Sequence, residues 1–491
     1  MKTSQASGRN FARVFSSTLI AASVLAVTSG IAAAAGLFDY ATQADMRAAA
    51  QADAPQPGDF RDRLVRRTAT PGAKRERLVR LNADELAKII PSGFDRAPDR
   101  GDRARRLSNS LTLDLFPDTS VTTRRTDIET PESGGYVWAG EGGAPHAYVT
   151  LVIKNGDIYG NVQAGAKVFT IEPVTGAVHR IIEIDPSRTP DHIHVEVPPS
   201  LLEKESEAAE PAPVADPKRK TVVRVMVVNT IRARNECRPG TVAQKQDCIE
   251  ARGDLGISRS NQAFNRSGVL VSYVRVGGLV EVNYNEGGYD GINGGQNYVL
   301  VLCDLTKPSF GCGSNQHAKF NTVRTKRDQL NADFVVLYRK QGAACGVAWV
   351  PDPPTAGTAQ LGYSVVTSTK GGVYNCVETD AFAHETGHNA GLLHDREQWQ
   401  IDNQTTAIPP KTKYNFGHVD DVGDFFTIMA YRSSCNAGAG CRRLPNFSNP
   451  NKNDPVSGRP TGKAQGTPGI QGAANNAQRW NDNRAIVGAY Q

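Results

Sequence analysis

Residues 384–395 read HETGHNAGLLHD and place three histidines close together in the chain. His384 and His388 are four residues apart, so on a helix they project from the same face. This spacing predicts two imidazole ligands for one Zn²⁺ ion, at about 2.0–2.1 Å. His394 cannot lie on that face, and Gly391 is therefore predicted to end the helix and turn the chain back. Three protein ligands leave one position open, which is typical of a catalytic zinc.

Two acidic residues accompany these histidines. Glu385 follows the first ligand directly. We expect it to act as the general base that takes a proton from the attacking water. Asp395 follows the third ligand, where it either holds the loop that carries His394 or is an ordinary loop aspartate. The segment therefore predicts a hydrolytic zinc site.

The start of the chain has the layout of an export signal. Lys2, Arg9 and Arg13 precede the apolar run 18–27, and small residues follow at 32–35. This order predicts a secretory signal peptide over residues 1–35. The apolar run is too short for a comfortable membrane span of about 20 residues, although an uncleaved anchor is the alternative. We expect a secreted, extracellular protein without a stable membrane anchor.

The cysteines favour disulfide bonds. All eight lie between residues 237 and 441. An even count in an exported protein is typical of disulfides, and no C-x-x-C pair supports the alternative of a cysteine zinc site. The short separations suggest four local pairs: Cys237 with Cys248, Cys303 with Cys312, Cys345 with Cys376, and Cys435 with Cys441.

A polar segment divides the chain. Residues 203–220 read EKESEAAEPAPVADPKRK and show no apolar periodicity. Such a segment is typical of an exposed linker, and its last three residues, Lys218 to Lys220, form a candidate processing site. We therefore expect one domain over 36–202 and another over 221–491.

The two parts differ in their predicted elements. In the first, residues 73–90 are predicted to form an amphipathic helix, and short alternating strands follow at 148–153, 167–171 and 179–184. In the second, strands alternate with helices, which predicts an α/β domain with a mostly parallel sheet. The predicted strands are 221–228, 270–276, 334–337, 346–350 and 363–367, and the predicted helices are 256–267, 316–330, 377–390 and 476–489.

The charge pattern disfavours nucleic-acid binding. The chain has 56 Lys and Arg against 50 Asp and Glu, a formal net charge of +6. Residues 61–106 are rich in arginine, but acidic residues are interspersed and no nucleic-acid-binding motif is present.

The zinc segment resembles that of a known family. It fits H-E-x-x-H-x-x-G-x-x-H, and with an aspartate after the third histidine and IMAY at 428–431 it resembles the reprolysin-like metzincins. TIMAY at 427–431 and FSNP at 447–450 are similar to secreted bacterial peptidyl-Asp metallopeptidases. The resemblance implies a metzincin-type α/β catalytic domain with an irregular lower subdomain. Segments at 113–118, 135–140 and 155–160 resemble the β-rich prodomain that precedes such domains.

The resemblance also assigns residues. Met429 would lie in a tight turn beneath the histidines, the Met-turn, unless it is an ordinary core residue. Tyr431 would donate to the oxyanion of the transition state, or it is a packed tyrosine. Arg432 begins the segment that would line the pocket for the side chain after the scissile bond, with Arg442 and Arg443 close behind. A guanidinium there would favour an acidic side chain and cleavage before Asp, whereas solvent-facing arginines would not.

These features predict a secreted zinc endopeptidase, made as a zymogen, that hydrolyses protein or peptide substrates held along the edge strand 346–350. One Zn²⁺ is expected and Ca²⁺ is left open. The prodomain is the expected inhibitor. Because it has no cysteine thiolate, latency would come from other ligands, with Asp191, His192 or His194 as one hypothesis, or from steric blockade. The two histidines could equally be outward-facing strand residues. The alternatives are a catalytically weak binding or adhesion protein on the same fold and a zinc hydrolase that acts on bonds other than peptides.

Overall fold

An antiparallel sheet forms the first half of the protein, because its apolar side chains alternate along short strands. The structure is a computed structural model that describes residues 36–53, 72–90, 108–186, 193–196, 215–286, 296–306, 317–340, 344–367, 376 and 380–490. The strands of this sheet are β1 (Phe38–Tyr40), β2 (Ala73–Leu81), β3 (Ser110–Phe116), β4 (Thr119–Glu129), β5 (Tyr136–Gly142), β6 (Ala147–Lys154), β7 (Asp157–Ala164), β8 (Lys167–Thr175) and β9 (Val178–Ile184).

The order of these nine strands is β1-β2-β9-β8-β7-β6-β5-β4-β3. The strands predicted at 148–153, 167–171 and 179–184 are confirmed as β6, β8 and β9. Among the described residues, two helices accompany the sheet, α1 (Gln43–Ala52) and α2 (Ala83–Ile89). Trp138, Leu151 and Phe169 are fully buried in its core. We call this unit the N-terminal sheet.

The helix predicted over 73–90 is wrong for its first half. Residues 73–81 form β2, which pairs with both β1 and β9. Val79 and Leu81 are buried while Arg80 is exposed, so burial follows the period of a strand. The helix begins only at Ala83, where the side chain of Asn82 accepts hydrogen bonds from two backbone N–H groups. Tertiary pairing has overridden the local helical pattern.

A six-stranded mixed sheet forms the second half. Its strands are β10 (Ile193–Glu196), β11 (Thr221–Thr230), β12 (Val271–Val282), β13 (Phe334–Arg339), β14 (Gly346–Val350) and β15 (Tyr363–Thr367), in the order β10-β14-β15-β13-β11-β12. β14 is antiparallel to β15, and every other pair is parallel. The strands predicted in this region are confirmed. The predicted edge strand β14, however, is covered by β10, which comes from before the polar segment.

Helices alternate with these strands, which gives the predicted mixed α/β arrangement. They are α3 (Ile231–Cys237), α4 (Val242–Ser267), α5 (Gln296–Thr306), α6 (Asn321–Gln329), α7 (Ala381–Asn389), α8 (Arg396–Asp402) and α9 (Asn476–Val487). A 3₁₀ turn at His317–Phe320 precedes α6, and after residue 402 the chain is largely irregular, with the short strands β16 (Val419–Asp420), β17 (Phe425–Phe426) and β18 (Arg442–Arg443).

Helix α4 begins 14 residues before its predicted start at 256. Thr241 and Gln244 form a capping box at its amino end, and Gly268, with φ of 71°, ends it. A threonine followed three residues later by glutamine is a helix-start signal in the sequence itself. The predicted helix was too short because the polar first turns of α4 lack apolar periodicity.

The N-terminal sheet packs against α4 through polar and apolar contacts. Lys154 pairs with Glu250, and Thr150 Oγ1 donates to Gln262 Oε1 at 3.1 Å. Glu129 accepts from Ser258 at 2.9 Å, and burial raises the pKa of Glu129 to about 7. Val137, Val152 and Tyr159 of the sheet also share one buried apolar core with residues of α4, so the interface combines polar and apolar contacts.

Three of the four predicted disulfides are confirmed: Cys237–Cys248, Cys345–Cys376 and Cys435–Cys441. Cys303 is also disulfide-bonded, and Cys312 lies outside the described residues. The predicted signal peptide and residues 203–214 of the predicted linker lie outside them too, as do Asp191 and His192. Within the described ranges, no helix has the length and apolar character needed to cross a membrane.

Candidate active site

The three histidines meet at one buried point. His384 and His388 lie on one face of α7, and the chain then turns at Gly391, whose φ is 82°. A side chain at Gly391 would collide with the carbonyl oxygen of Pro351, so glycine is needed for the close approach as well as for the turn. His394 thereby returns to the helix. The distances between the three Nε2 atoms are 3.1, 3.1 and 3.2 Å.

Each Nδ1 atom has an acceptor within 2.8 Å. These acceptors are the carbonyl oxygen of Ile428 for His384, that of Leu392 for His388, and Asp402 Oδ2 for His394. A neutral imidazole that donates through Nδ1 presents a lone pair at Nε2. Three converging lone pairs would repel one another without a cation between them. Ligands on one tetrahedral zinc ion are roughly 3.3 Å apart, so the triad fits a single Zn²⁺.

Glu385 is on α7, beside the triad, and its carboxylate lies against Gly346, the first residue of β14. It is fully buried, and burial raises the pKa of its carboxyl group well above the ordinary value. A Cβ atom at Gly346 would overlap the Glu385 carboxylate. The glycine therefore makes room for the acid. The structure thus brings the predicted base to the end of the strand along which a peptide is expected to bind.

Met429 lies in a turn against α7. The turn is closed by a hydrogen bond of 2.9 Å from Ala430 N to Thr427 O. Met429 is fully buried, and a Cβ atom at Gly387 of α7 would be 2.9 Å from its sulfur. The carbonyl oxygen that orients His384 belongs to the preceding residue, Ile428. The turn therefore supports the histidine cluster from below.

Tyr431 is also brought to the site. Its ring centroid is 4.3 Å from that of His394, and the residue is 4% exposed. Its backbone N–H donates to Asp395 Oδ2 at 2.9 Å. Asp395 accepts a second bond, of 3.0 Å, from Gln398 N. Asp395 thus links the segment after the third histidine to the turn that carries Met429.

Arg432 lies next to the site but its guanidinium is already engaged. Its Nη1 donates to the carbonyl oxygen of Cys441 at 2.7 Å, and its Cζ lies 5.0 Å from the centre of the Phe426 ring. Arg443 lies 4.8 Å from the same ring, so the two cations flank one aromatic side chain. Arg442 instead pairs with Asp454 at 2.7 Å.

Sequence reasoning missed three positioning residues. Asn389 Nδ2 lies 3.0–3.2 Å from the carbonyl oxygens of Trp349, Leu361 and Tyr363 and so ties α7 to the sheet. Gly346 and Asp402 were not singled out either. Only Asp402 carries a local signal, because an acidic residue in the last turn of a helix is electrostatically unfavourable.

Comparisons with known proteins agree with this site. Residues 306–464 match the sequence model of the reprolysin-like metallopeptidases of family M12B. The chain is 24% identical over 432 residues to a peptidyl-Asp metalloendopeptidase of Stenotrophomonas maltophilia, covering 83% of this chain and 89% of the relative. It is 23% identical over 363 residues to one of Xanthomonas campestris, covering 70% and 75%.

Among solved structures, metalloproteinase-II from Bacteroides fragilis aligns with a TM-score of 0.31 at 13% identity, over 58% of this chain and 81% of that one. A chaperone–substrate complex aligns with a TM-score of 0.37 at 16% identity, over 55% and 36%. The family match, the relatives and the histidine triad together define the class: the chain is a zinc metalloendopeptidase. Within the chain, residues 306–464 are similar to the reprolysin-like metallopeptidases.

Proposed function

We propose that this protein is a secreted metzincin endopeptidase, made as a zymogen, that prefers to cleave before aspartate. The observation that carries the proposal is the cluster of three Nε2 atoms within 3.2 Å of one another beside the buried Glu385. Bound Zn²⁺ would supply Lewis acidity, which lowers the pKa of a coordinated water and polarises a carbonyl group.

The residues around this cluster perform the other parts of hydrolysis. Glu385 takes the proton of the attacking water and delivers it to the leaving amine, and such positioned proton transfer contributes roughly 10²–10⁴-fold. Tyr431 is close enough to His394 for its hydroxyl to donate to the developing oxyanion. The Nδ1 acceptors keep the three imidazoles in one tautomer and orientation.

The substrate is proposed to bind as an added strand on β14. This strand begins at Gly346, beside Glu385, and is antiparallel to β15 on its other side. Its outer edge offers backbone hydrogen-bonding groups to an extended peptide. The catalytic acid–base thus lies at one end of the peptide-binding edge.

Latency is proposed to arise because β10 already occupies that edge. Ile193 to Glu196 pair in parallel register with Val347 to Val350. Backbone groups that pair with β10 are not available to a substrate strand. This is the steric form of inhibition that a cysteine-free prodomain requires. Residues 36–202 would then form the inhibitory prodomain and residues 221–491 the catalytic domain.

Release of the prodomain is supported by the linker and the interface. Lys218, Arg219 and Lys220 are exposed immediately before β11, as a processing site must be. The contacts of the N-terminal sheet with α4 include hydrogen bonds and ion pairs, which water and salt can replace more readily than an apolar core. Cleavage would leave the prodomain held by noncovalent contacts alone, which include these polar pairs and the pairing of β10 with β14.

Proline at both His194 and Val195 should activate the uncleaved chain. Successive residues of a strand donate to opposite sides, so two adjacent prolines remove at least one donor to β14. We expect peptidase activity of the uncleaved double variant to rise at least about tenfold, because the strand no longer pairs stably. Activity should be measured on a quenched peptide, with the chain length verified by mass spectrometry.

The matched control replaces the same two residues by alanine, which keeps both N–H groups and removes the His194 imidazole. It should stay latent. Activation by alanine as well would favour a side-chain ligand on zinc over strand pairing. An uncleaved proline variant that remains as inactive as the parent, yet gains normal activity once processed, would refute the latency proposal.

The preference for aspartate is supported by the names of the two relatives and by two arginines near the site. Arg432 follows Tyr431 directly, and both Arg432 and Arg443 lie against the Phe426 ring. Both guanidinium groups add positive charge to the segment just past the Met-turn. The carbonyl oxygen of Cys441 accepts a hydrogen bond from Arg432 and so fixes the position of the guanidinium group. The guanidinium would then attract an acidic side chain of the substrate from a fixed position.

Arg432→Ala is expected to lower kcat/KM on peptides with Asp after the scissile bond at least about tenfold more than on matched peptides with Leu. The physical reason is loss of a partly desolvated cation that interacts with the substrate carboxylate. Lys452→Ala removes one exposed positive charge from the same region and should leave the Asp-to-Leu ratio unchanged.

A peptide library digested by the processed enzyme tests the proposed function as a whole. Mass spectrometry should find new amino termini that begin mainly with Asp. A map dominated by hydrophobic residues after the cut would overturn the specificity and leave a general endopeptidase. A zinc-loaded, processed chain that cleaves neither the library nor casein would overturn the endopeptidase proposal.

A further inference from the structure

The short helix α8 connects the third histidine to two anchoring carboxylates. Asp395 caps its amino end and binds the N–H of Tyr431. Asp402 is its last residue and accepts from His394 Nδ1 at 2.8 Å. We propose that Asp402 is a positioning residue that orients His394 and strengthens it as a metal ligand; this rests on the proposed zinc site.

The Asp402 carboxylate is itself held in place. Its Oδ2 receives the imidazole N–H, and its Oδ1 accepts from Gln398 Nε2 at 2.8 Å, one helical turn away. Its side chain is 22% exposed, while that of His394 is 1% exposed. Oδ2 therefore accepts from the buried His394, and Oδ1 is held by a side chain of the same helix. This arrangement restricts rotation of both side chains.

In the part of the chain that the structure describes, the Nδ1 atoms of the other two histidines have neutral acceptors. His384 and His388 donate to the backbone carbonyl oxygens of Ile428 and Leu392. A hydrogen bond to an ionised carboxylate is shorter and stronger than one to a neutral carbonyl. It also places negative charge behind the imidazole, which increases electron donation to a metal at the opposite nitrogen. His394 is thereby the ligand with the charged support.

The position of Asp402 is not explained by helix stability. A negative charge in the last turn opposes the helix dipole and is therefore unfavourable. Asp395 at the other end has the favourable arrangement and caps the helix. An acid is therefore placed at the unfavourable end of α8 where it meets a histidine. Its contact with His394 accounts for that placement.

Packing fixes α8 so that the carboxylate is presented reliably. Trp399 lies edge-to-face with Phe416 at 6.4 Å between ring centroids. Arg396 donates to the carbonyl oxygens of Lys413 and Gly469 at 3.1 Å. These contacts anchor the helix to the irregular region after residue 402. A disturbance of that region would reach the zinc site through Asp402.

Zinc affinity of the full chain tests the inference. Asp402→Ala is expected to raise the zinc dissociation constant about 10–100-fold, measured by competition with a chromophoric chelator. Asp402→Asn should have a smaller effect, because an amide oxygen still accepts the imidazole N–H but carries no charge. Glu397→Gln removes an exposed charge from the same helix and should change nothing.

The thermal midpoint of the metal-free chain separates positioning from folding. A purely structural Asp402 would lower that midpoint and leave the zinc dissociation constant unchanged, which would overturn the inference. If Asp402→Ala fails to fold, Asp402→Asn must still weaken zinc binding, or the inference is wrong. His394→Ala distinguishes the two claims: if the parent and this variant bind zinc equally, the proposed zinc site itself fails, whereas loss in His394→Ala with no change in the Asp402 variants refutes only the role of Asp402.

Discussion

Glu385→Gln should lose at least two orders of magnitude in kcat on a peptide substrate while it keeps zinc and fold. The three nitrogen atoms that converge on the metal position belong to histidines. Replacement of Glu385 should therefore leave the ion bound. The amide has nearly the same shape as the carboxylate but cannot take a proton from water. Removal of positioned acid–base catalysis costs roughly 10²–10⁴-fold. The measurement combines steady-state kinetics with zinc content per chain.

Glu397→Gln is the matched control, because it makes the same chemical change at an exposed residue twelve positions along the chain. It should keep full activity. Glu385→Ala should lose as much activity as Glu385→Gln if proton transfer is the lost function. A zinc-loaded Glu385→Gln enzyme with kcat close to that of the parent would remove Glu385 from the mechanism.

Gly346→Ala should reduce kcat/KM by about 100-fold. The added Cβ would overlap the Glu385 carboxylate, and either the carboxylate or the start of β14 must move. A displacement of about 1 Å in a catalytic group can cost about 10²-fold. Cys345 is disulfide-bonded to Cys376, which restrains the strand at this point and directs the displacement toward Glu385. Kinetics on the processed enzyme measure the loss.

Gly440→Ala is the control for this substitution, because its added Cβ would meet only the Cβ of Ala437 at 3.8 Å. It should leave kinetics and thermal stability unchanged. Zinc content should stay near that of the parent in both variants, since the overlap involves Glu385 and not a histidine. Normal kcat/KM in Gly346→Ala would show that β14 does not confine the catalytic carboxylate.

The cluster of three histidines was predictable because its information is local. His384, Glu385, His388, Gly391 and His394 lie within eleven residues, and helix geometry alone places the first two histidines together. Met429 and Tyr431 lie further along the chain, and only the family resemblance associated them with the histidines. The structure brings both to the site.

The roles of Gly346 and Asn389 were not predictable because their partners are distant in sequence. Nothing near Gly346 indicates that Glu385 will lie against it. The same holds for Asn389, which reaches carbonyl oxygens of β14, β15 and the turn before β15. A side chain that acts through the backbone of another segment leaves no spacing pattern to read.

The largest departures from prediction involve strands. The apolar and charged residues of segment 73–81 are compatible with an amphipathic helix. However, β1 and β9 supply backbone hydrogen-bond partners on both sides, which makes a strand the more favourable state. The pairing of β10 with β14 was equally invisible, because it joins segments on opposite sides of the predicted linker. Non-local pairing of this kind depends on the whole fold.

Removal and return of zinc test the central claim most directly. The processed enzyme should contain one zinc ion per chain, lose proteolysis when a chelator removes that ion, and regain it in proportion to zinc restored. His394→Ala should neither retain the ion nor respond to its return. A metal-free enzyme that still cleaves peptides at the original rate would contradict the account.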